Sequence, residues 1–270
     1  MHASTFQEDR SGMLENQELR LENIIGTRAS RFLTYPKTDC VEAKKRINEL
    51  HAAGITAIQF RGSTRIDGIP LLGKGCVGVV LQATLNKTTI ALKIRRTDAN
   101  RSDMMEEARL LRTANSVNVG PRLIAATRNF LAMELFEGEP LFKWAQTRRE
   151  AKSLRFVLRH LLLDCFRLDA IGLDHGELSH APKNVLVGPH GRSCIVDFET
   201  ASTSRRVANV TSLLQYFMFG QLSKQIGARR LFGSRKSLLR ALTVYKEDNS
   251  VTNFHKILEE LSLHEHESLL

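Results

Sequence analysis

No CxxC pair occurs in this chain: its four cysteines, Cys40, Cys76, Cys165 and Cys194, stand far apart. No Cys–His cluster has metal-ligand spacing either, and His264 and His266 read as part of a solvated tail. Reduced thiols in a reducing compartment, the cytoplasm, are therefore expected. No apolar run is long enough to span a membrane, and residues 1–20 are too polar for a signal peptide. No membrane partner is expected. The most localised absence is of acid. Residues 201–246 contain no Asp or Glu, but nine basic residues: Arg205, Arg206, Lys224, Arg229, Arg230, Arg235, Lys236, Arg240 and Lys246. That segment carries nearly all of the net charge of +10. A basic surface concentrates polyanions and makes their binding salt-sensitive, so an RNA or ribonucleoprotein partner is one expectation. A solvated positive face without a partner is the other.

What is present is enough for a substantial fold. The chain has 270 residues and is 42% hydrophobic, which suits one large domain or two small ones. Residues 1–20 read as a disordered tail. Asp39 with Glu42 makes a capping box ahead of a helix over 41–53, which Gly54 ends. A short strand over 55–60 follows, so 21–68 reads as an N-terminal helix–strand extension. A helix is predicted over 104–114, and strands over 122–127 and 130–135. Beyond Phe136-Glu137-Gly138-Glu139-Pro140 the pattern is mostly helical to the end. The expected fold class is α+β: a small β-rich lobe over 69–136, then a helical lobe over 137–270. The 136–140 stretch would connect them, with a nucleotide in the cleft beneath.

The most informative segment is Leu71-Leu72-Gly73-Lys74-Gly75-Cys76-Val77-Gly78-Val79-Val80, a G-x-G-x-x-G-x-V loop built on Gly73, Gly75, Gly78 and Val80. The same spacing opens dinucleotide-binding units, but there a helix follows the loop. Here 79–84 continues as a strand, Asn86-Lys87 reads as a hairpin turn, and 88–94 reads as the return strand. That strand carries Ala91-Leu92-Lys93, fifteen residues after Gly78. Alternation puts Leu92 and Ile94 on the face opposite Lys93. On the next helix Glu107 shares a face with Leu110 and Leu111, whereas Glu106 is flanked by Asp103 and Arg109. A Lys93–Glu107 pair is therefore predicted. It would fix the ammonium where ATP phosphates can meet it. Cys76 reads as a small side chain that fits the turn, with a reactive thiol as the alternative. Trp144 and Phe142 read as packing of the helical lobe.

Two later clusters carry oxygen ligands. His175-Gly176-Glu177-Leu178-Ser179 is followed by Asn184, and Ile195-Val196-Asp197-Phe198-Glu199 is an apolar strand ending in an acid. Phosphoryl transfer needs oxygen ligands for Mg²⁺ and a carboxylate that orients the attacking hydroxyl. Asp197 suits the metal, Asn184 a second metal contact, and Glu177 the orienting role.

In this order the motifs resemble the protein kinase-like superfamily. Among its members they look nearest to the small atypical kinases, namely the RIO kinases and the kinase of the KEOPS tRNA-modifying complex. The run Ile94-Arg95-Arg96-Thr97-Asp98-Ala99-Asn100, with Asn118-Val119-Gly120-Pro121, looks like an archaeal-type predicted serine/threonine kinase family. The similarity runs over about 35–219. The resemblance implies a two-lobed kinase-like fold with ATP and Mg²⁺ as cofactors. By position, Lys93 matches the phosphate-binding lysine, Glu107 its partner and Asp197 the metal-binding aspartate. Met133, Glu134 and Leu135 match the linker strand whose backbone receives adenine, and His175 matches the structural histidine of the catalytic loop.

The chain departs from the family pattern at three places. Glu177 stands where an aspartate is usual, the interval from it to Asn184 is two residues longer, and Asp-Phe-Glu replaces Asp-Phe-Gly. There is no Ala-Pro-Glu and no long activation segment after Asp197. The expected activity is that of an atypical ATP-dependent serine/threonine protein kinase, its protein substrate unknown and including the chain itself. An ATPase switch on RNA or ribonucleoprotein, a small-molecule phosphotransferase and a non-catalytic nucleotide-binding scaffold are the alternatives.

Overall fold

The computed structural model describes residues 17–147, 150–220 and 234–263. It is an α+β protein whose chain divides into two compact units. One comprises the chain up to Ala108 together with Leu123–Leu135; the other comprises Arg109–Arg122 and everything from Phe136 onward. The chain changes unit between Leu135 and Phe136, and Arg109–Arg122 groups with the second unit.

The first unit is built on a seven-stranded antiparallel sheet. Its strands are β1 (Glu18–Arg20), β2 (Ile55–Gln59), β5 (Gly73–Lys74), β6 (Gly78–Leu85), β7 (Thr88–Arg95), β8 (Leu123–Ala126) and β9 (Phe130–Glu134). The order is β1-β2-β6-β7-β9-β8, with β5 also paired to β6. A separate two-stranded ribbon joins β3 (Thr64–Ile66) to β4 (Ile69–Leu71). The β6–β7 hairpin turns at Asn86 and Lys87, both at positive φ, as a two-residue loop of matching twist requires. Period-2 alternation then gives each strand two faces. Leu81, Ala83, Ile90, Leu92 and Ile94 join one buried core with Leu21, Ile24, Phe32, Leu33, Ile47 and Leu50. Val77, Leu131, Met104 and Ala108 form a second, smaller core.

Two expectations about the N-terminal region are corrected. Glu18–Arg20, read as the end of a tail, pairs with β2 as an edge strand; residues 1–16 lie outside the described residues. Residues 21–68 are not an appendage. β2 pairs with β6 inside the sheet, and helix α1 (Cys40–Ala52) supplies Ala43, Ile47 and Leu50 to the main core. The N-cap of α1 is as predicted, with Asp39 accepting from the Val41 and Glu42 amides at 2.9 and 3.0 Å. On the same helix Arg46 is only 2% exposed. A buried guanidinium needs acceptors. It finds Glu42 Oε1 at 2.9 Å, the Leu33 carbonyl at 2.7 Å, the Arg95 carbonyl at 2.5 Å and Asn129 Oδ1 at 3.2 Å. One cation thus ties the N-terminal region to the end of β7.

Helix α2 (Met105–Asn115) carries the chain from the first unit into the second. The second unit has helices α3 (Leu141–Thr147), α4 (Ala151–Ala170), α5 (Ala181–Asn184), α6 (Asn209–Phe219), α7 (Arg235–Glu247) and α8 (Val251–Glu260). A small antiparallel sheet orders β10 (Glu139–Pro140), β11 (Val185–Val187) and β12 (Ser193–Ile195). α4 buries Leu154, Val157, Leu158, Leu161, Leu162, Cys165 and Leu168, a stripe at helical spacing, and Trp144 of α3 is buried as expected. Among the described residues no helix is long and apolar enough to cross a membrane.

Candidate functional site

In the first unit, register places the lysine. Lys93 stands opposite Val80 on β6 and Leu131 on β9, on the face away from Leu92 and Ile94. Its side chain is 4% exposed, and Nζ donates to Glu107 Oε1 at 2.7 Å. Glu107 is equally buried, whereas Glu106 is exposed. The helix-face argument thus selects the right glutamate. Removing either partner of an ion pair this deep takes from the other, still buried, its 2.7 Å counter-charge.

The glycine loop sits directly on this lysine. A Cβ on Gly78 would come within 2.9 Å of Lys93 Cγ and 3.0 Å of the Ile94 carbonyl oxygen, so glycine there is set by close approach. Gly73 pairs with Val80, whose side chain is half-buried. The tip closes on itself, the Gly75 amide donating to the Gly78 carbonyl at 2.8 Å. The Val77 carbonyl accepts from the Arg96 amide at 2.8 Å. Tip carbonyls are therefore engaged, while the N–H groups of Cys76 and Val77 have no backbone acceptor among the described residues. A short run of such amides is suited to an anion. Cys76 is exposed with a free thiol. Glu134, exposed, ends β9 opposite Ile90, and the half-buried Leu135 is the last residue of this unit.

In the second unit, the chain leaving α4 turns through Leu173 into Asp174-His175-Gly176-Glu177. His175 is fully buried. Its Nε2 lies 3.1 Å from the Val196 carbonyl and therefore carries the proton, while Nδ1 has no partner among the described residues. Burial pulls its pKa below the usual histidine value, so the ring is neutral. The imidazole also packs edge-on against Phe198, ring centroids 5.0 Å apart. Gly176, at φ +88°, admits no side chain: a Cβ would lie 2.4 Å from Arg205 Nη2 and 2.9 Å from the Thr200 carbonyl oxygen.

Glu177 and Asn184 are brought together. Asn184 is buried, and its Nδ2 donates to Glu177 Oε2 at 3.1 Å. The interval between them holds a 3-10 turn over Leu178–His180 and the short helix α5, which ends at Asn184. The Asn184 carbonyl in turn accepts from the Val196 amide at 2.9 Å, one residue before Asp197. Asp197 has left-handed backbone, φ 68° and ψ 76°, an uncommon conformation for a residue with a side chain. β12 ends at Ile195, so Asp197 lies just past the strand rather than at its end.

The chain after Asp197 folds straight back. Asp174 and Ser202 exchange backbone hydrogen bonds at 2.9 and 2.8 Å, Arg205 Nε donates to Asp174 Oδ2 at 2.6 Å, and the Ala208 amide donates to Asp174 Oδ1 at 2.9 Å. Helix α6 then begins at Asn209, and no long segment intervenes.

Sequence reasoning missed the support beneath this loop. Asn209 Oδ1 accepts from the His175 amide at 2.8 Å, and its Nδ2 donates to the Leu173 carbonyl at 2.7 Å. Asn209 is itself held by the buried Asp169, whose Oδ1 accepts from the Asn209 amide at 3.0 Å and from Nδ2 at 2.8 Å. Asp169 Oδ2 accepts from the Val210 amide at 3.3 Å and the Tyr245 hydroxyl at 2.9 Å. Burial pushes the Asp169 carboxyl up, and the donated hydrogen bonds pull against it. Local spacing gives no signal for this hub, because its members come from α4, α6 and α7.

Of the nine basic residues in 201–246, Lys224, Arg229 and Arg230 lie outside the described residues. Arg205 is engaged by Asp174, Arg206 donates to the Lys246 carbonyl, and Arg235 sits 4.2 Å from the centroid of the Phe219 ring. His264 and His266 also lie outside. No protein-family model matches the chain, and no curated protein sequence matches it.

Proposed function

We propose that this chain has a two-lobed protein kinase-like fold and acts as an atypical ATP-dependent serine/threonine protein kinase. The observation that carries the reading is the buried Lys93–Glu107 pair at 2.7 Å under a glycine loop whose third glycine makes room for that lysine. In this reading Lys93, fixed by Glu107, meets the ATP phosphates, and the amides of Cys76 and Val77 add donors to them. Backbone of Glu134 and Leu135 receives adenine. Asp197 and Asn184 offer oxygen ligands of the kind a hard cation takes, with the Asn184 amide nitrogen already turned to Glu177. Mg²⁺ held there would neutralise phosphate charge. Glu177 accepts the hydrogen bond of the acceptor hydroxyl and takes its proton as the phosphoryl group transfers. The neutral His175 holds the Val196 carbonyl, and so the approach to Asp197, in place.

The short return from Asp197 to α6 supports a kinase without activation-loop control. The engagement of Arg205, Arg206 and Arg235 by protein groups leaves less of the basic segment for an RNA partner. Incubation with Mg²⁺ and γ-labelled ATP tests the reading, comparing wild type with Lys93→Met and Asp197→Ala. Label on wild-type protein, or on an added protein acceptor, that both variants lose is the expected result. Free phosphate with little label would replace the kinase by an ATPase. Bound nucleotide with no product would leave a scaffold.

A further inference from the structure

Between the N-terminal region and the glycine loop lies a contact that neither hydrophobic packing nor the nucleotide chemistry above requires. Arg96, one residue past β7, donates from Nη1 to the Gly75 carbonyl at 3.1 Å. Its Nε and Nη2 form a fork on Asp98, at 2.8 and 2.7 Å to the two carboxylate oxygens. The guanidinium stands 5.3 Å from the centroid of the Tyr35 ring. Lys74, between the first two glycines of the loop, places Nζ 5.2 Å from the same ring, and Arg31 lies 6.0 Å from it. Three cations therefore lie near one aromatic ring, two of them also paired with a carboxylate, Arg96 with Asp98 and Arg31 with Asp67, and the ring face offers each a further attraction. Tyr35 is itself fixed: its carbonyl accepts from the Thr97 amide at 2.8 Å, and Thr97 Oγ1 also reaches the Thr34 carbonyl at 3.1 Å. The ring of Phe32 stacks on it, centroids 6.4 Å apart and planes inclined by 10°.

We infer that Tyr35 and Arg96 are positioning residues that clamp the tip of the glycine loop and hold its amides in shape for a polyphosphate ligand, the N-terminal region being part of the nucleotide-binding machinery. The inference deepens the function proposed above and rests on it for the identity of the ligand. The backbone bond from Arg96 to Val77 orients one side of the tip; the Arg96 side chain orients the other at Gly75. A glycine-rich turn has no side chains of its own to define it, so its order must be imposed from outside. Asp98 locks the guanidinium plane, and the Tyr35 ring lies 5.3 Å from it.

The test uses the full chain in four forms: wild type, Arg96→Ala, Tyr35→Ala and Tyr35→Phe, the last keeping the ring. Hydrogen exchange is followed across 73–78, with α1 and β7 as internal references for an intact fold, and the dissociation constant of a fluorescent ATP analogue with Mg²⁺ is measured. A side-chain hydrogen bond from a charged donor, once lost, corresponds to about tenfold. The expected result is exchange about tenfold faster at the loop and about tenfold weaker nucleotide binding in Arg96→Ala and Tyr35→Ala. Reference elements should be unchanged and Tyr35→Phe close to wild type. Loop exchange at the wild-type rate in Arg96→Ala overturns the clamp. A loosened loop with wild-type nucleotide affinity overturns its positioning role. If wild type binds no nucleotide while the loop loosens in both alanine variants, the clamp stands and the nucleotide reading is what fails. Should Tyr35→Ala not fold, Arg96→Ala beside Arg96→Lys decides, because lysine cannot form the fork and reach Gly75 together.

Discussion

Gly120 lies beneath the ring of Phe198: a Cβ there would come within 2.8 Å of the ring, and the backbone sits at φ +80°. Both constraints act on a residue of the Asn118-Val119-Gly120-Pro121 run, which Asn115 holds by donating to the Val119 and Pro121 carbonyls at 3.0 and 3.1 Å. The turn therefore shapes the seat of the residue that follows Asp197. Gly120→Ala is expected to destabilise by about 2–4 kcal/mol, combining overpacking with a left-handed backbone. Thermal unfolding measures this, and near-UV circular dichroism would report the displaced ring.

The Lys93–Glu107 pair has a distinct thermodynamic signature. Lys93→Met and Glu107→Leu are each expected to cost about 3–5 kcal/mol, because each takes from a buried charge its 2.7 Å ion-pair partner. The double variant is expected to cost clearly less than the sum, since both charges leave together. A denaturant double-mutant cycle measures the coupling, and additive losses would mean the two side chains do not depend on each other.

Tyr245 donates to a buried carboxylate that also holds Asn209, and so the His175 amide. Tyr245→Phe removes only the hydroxyl. It is expected to cost about 1–3 kcal/mol and to speed amide exchange at His175 more than in β6. Equal acceleration at both places would show that Asp169 does not support the loop.

Asp164 supplies the pH prediction. Burial pushes its carboxyl up to about 6, against an ordinary 3.8, although Arg167 Nη1 donates to it at 2.9 Å. Between those values the folded state binds more protons than the unfolded, so stability is full below about 3.8 and falls as pH rises through about 6. Asp164→Asn keeps an acceptor for Arg167 without the charge. It is expected to be about 1–3 kcal/mol more stable than wild type at pH 7.5, the advantage vanishing near pH 4. Urea unfolding at both pH values decides it.

Local rules reached far into this molecule where the chemistry itself is local. Strand alternation and helix spacing were sufficient to pair Lys93 with Glu107, because each side chain had one buried face available. The hairpin at Asn86-Lys87 was legible from turn chemistry. Glu177 and Asn184 were each legible as polar residues, but not the contact between them, since a four-residue helix leaves no periodic trace. Asp169, Asn209 and Tyr245 gave no signal: an aspartate on a mostly apolar helix stripe looks like a surface residue until its partners arrive from 40 and 76 positions away. The N-terminal region was misread for a related reason. β2 is only five residues long, and its partner β6 lies beyond an intervening ribbon, so pairing across that distance left the strand looking detached.

That pairing bears on how the protein can be cut. A chain begun just before the glycine loop would strip β2 from β6 and leave the Gln82–Leu85 backbone with unmet donors and acceptors along an open edge. Leu81, Ala83, Ile90 and Leu92 would lose the cover that Leu33, Ile47 and Leu50 give them. Such an edge is a template for strands of other molecules. The minimal fragment suggested by motif boundaries would therefore offer that edge to other molecules, whereas a piece that keeps β1 and β2 leaves β6 paired.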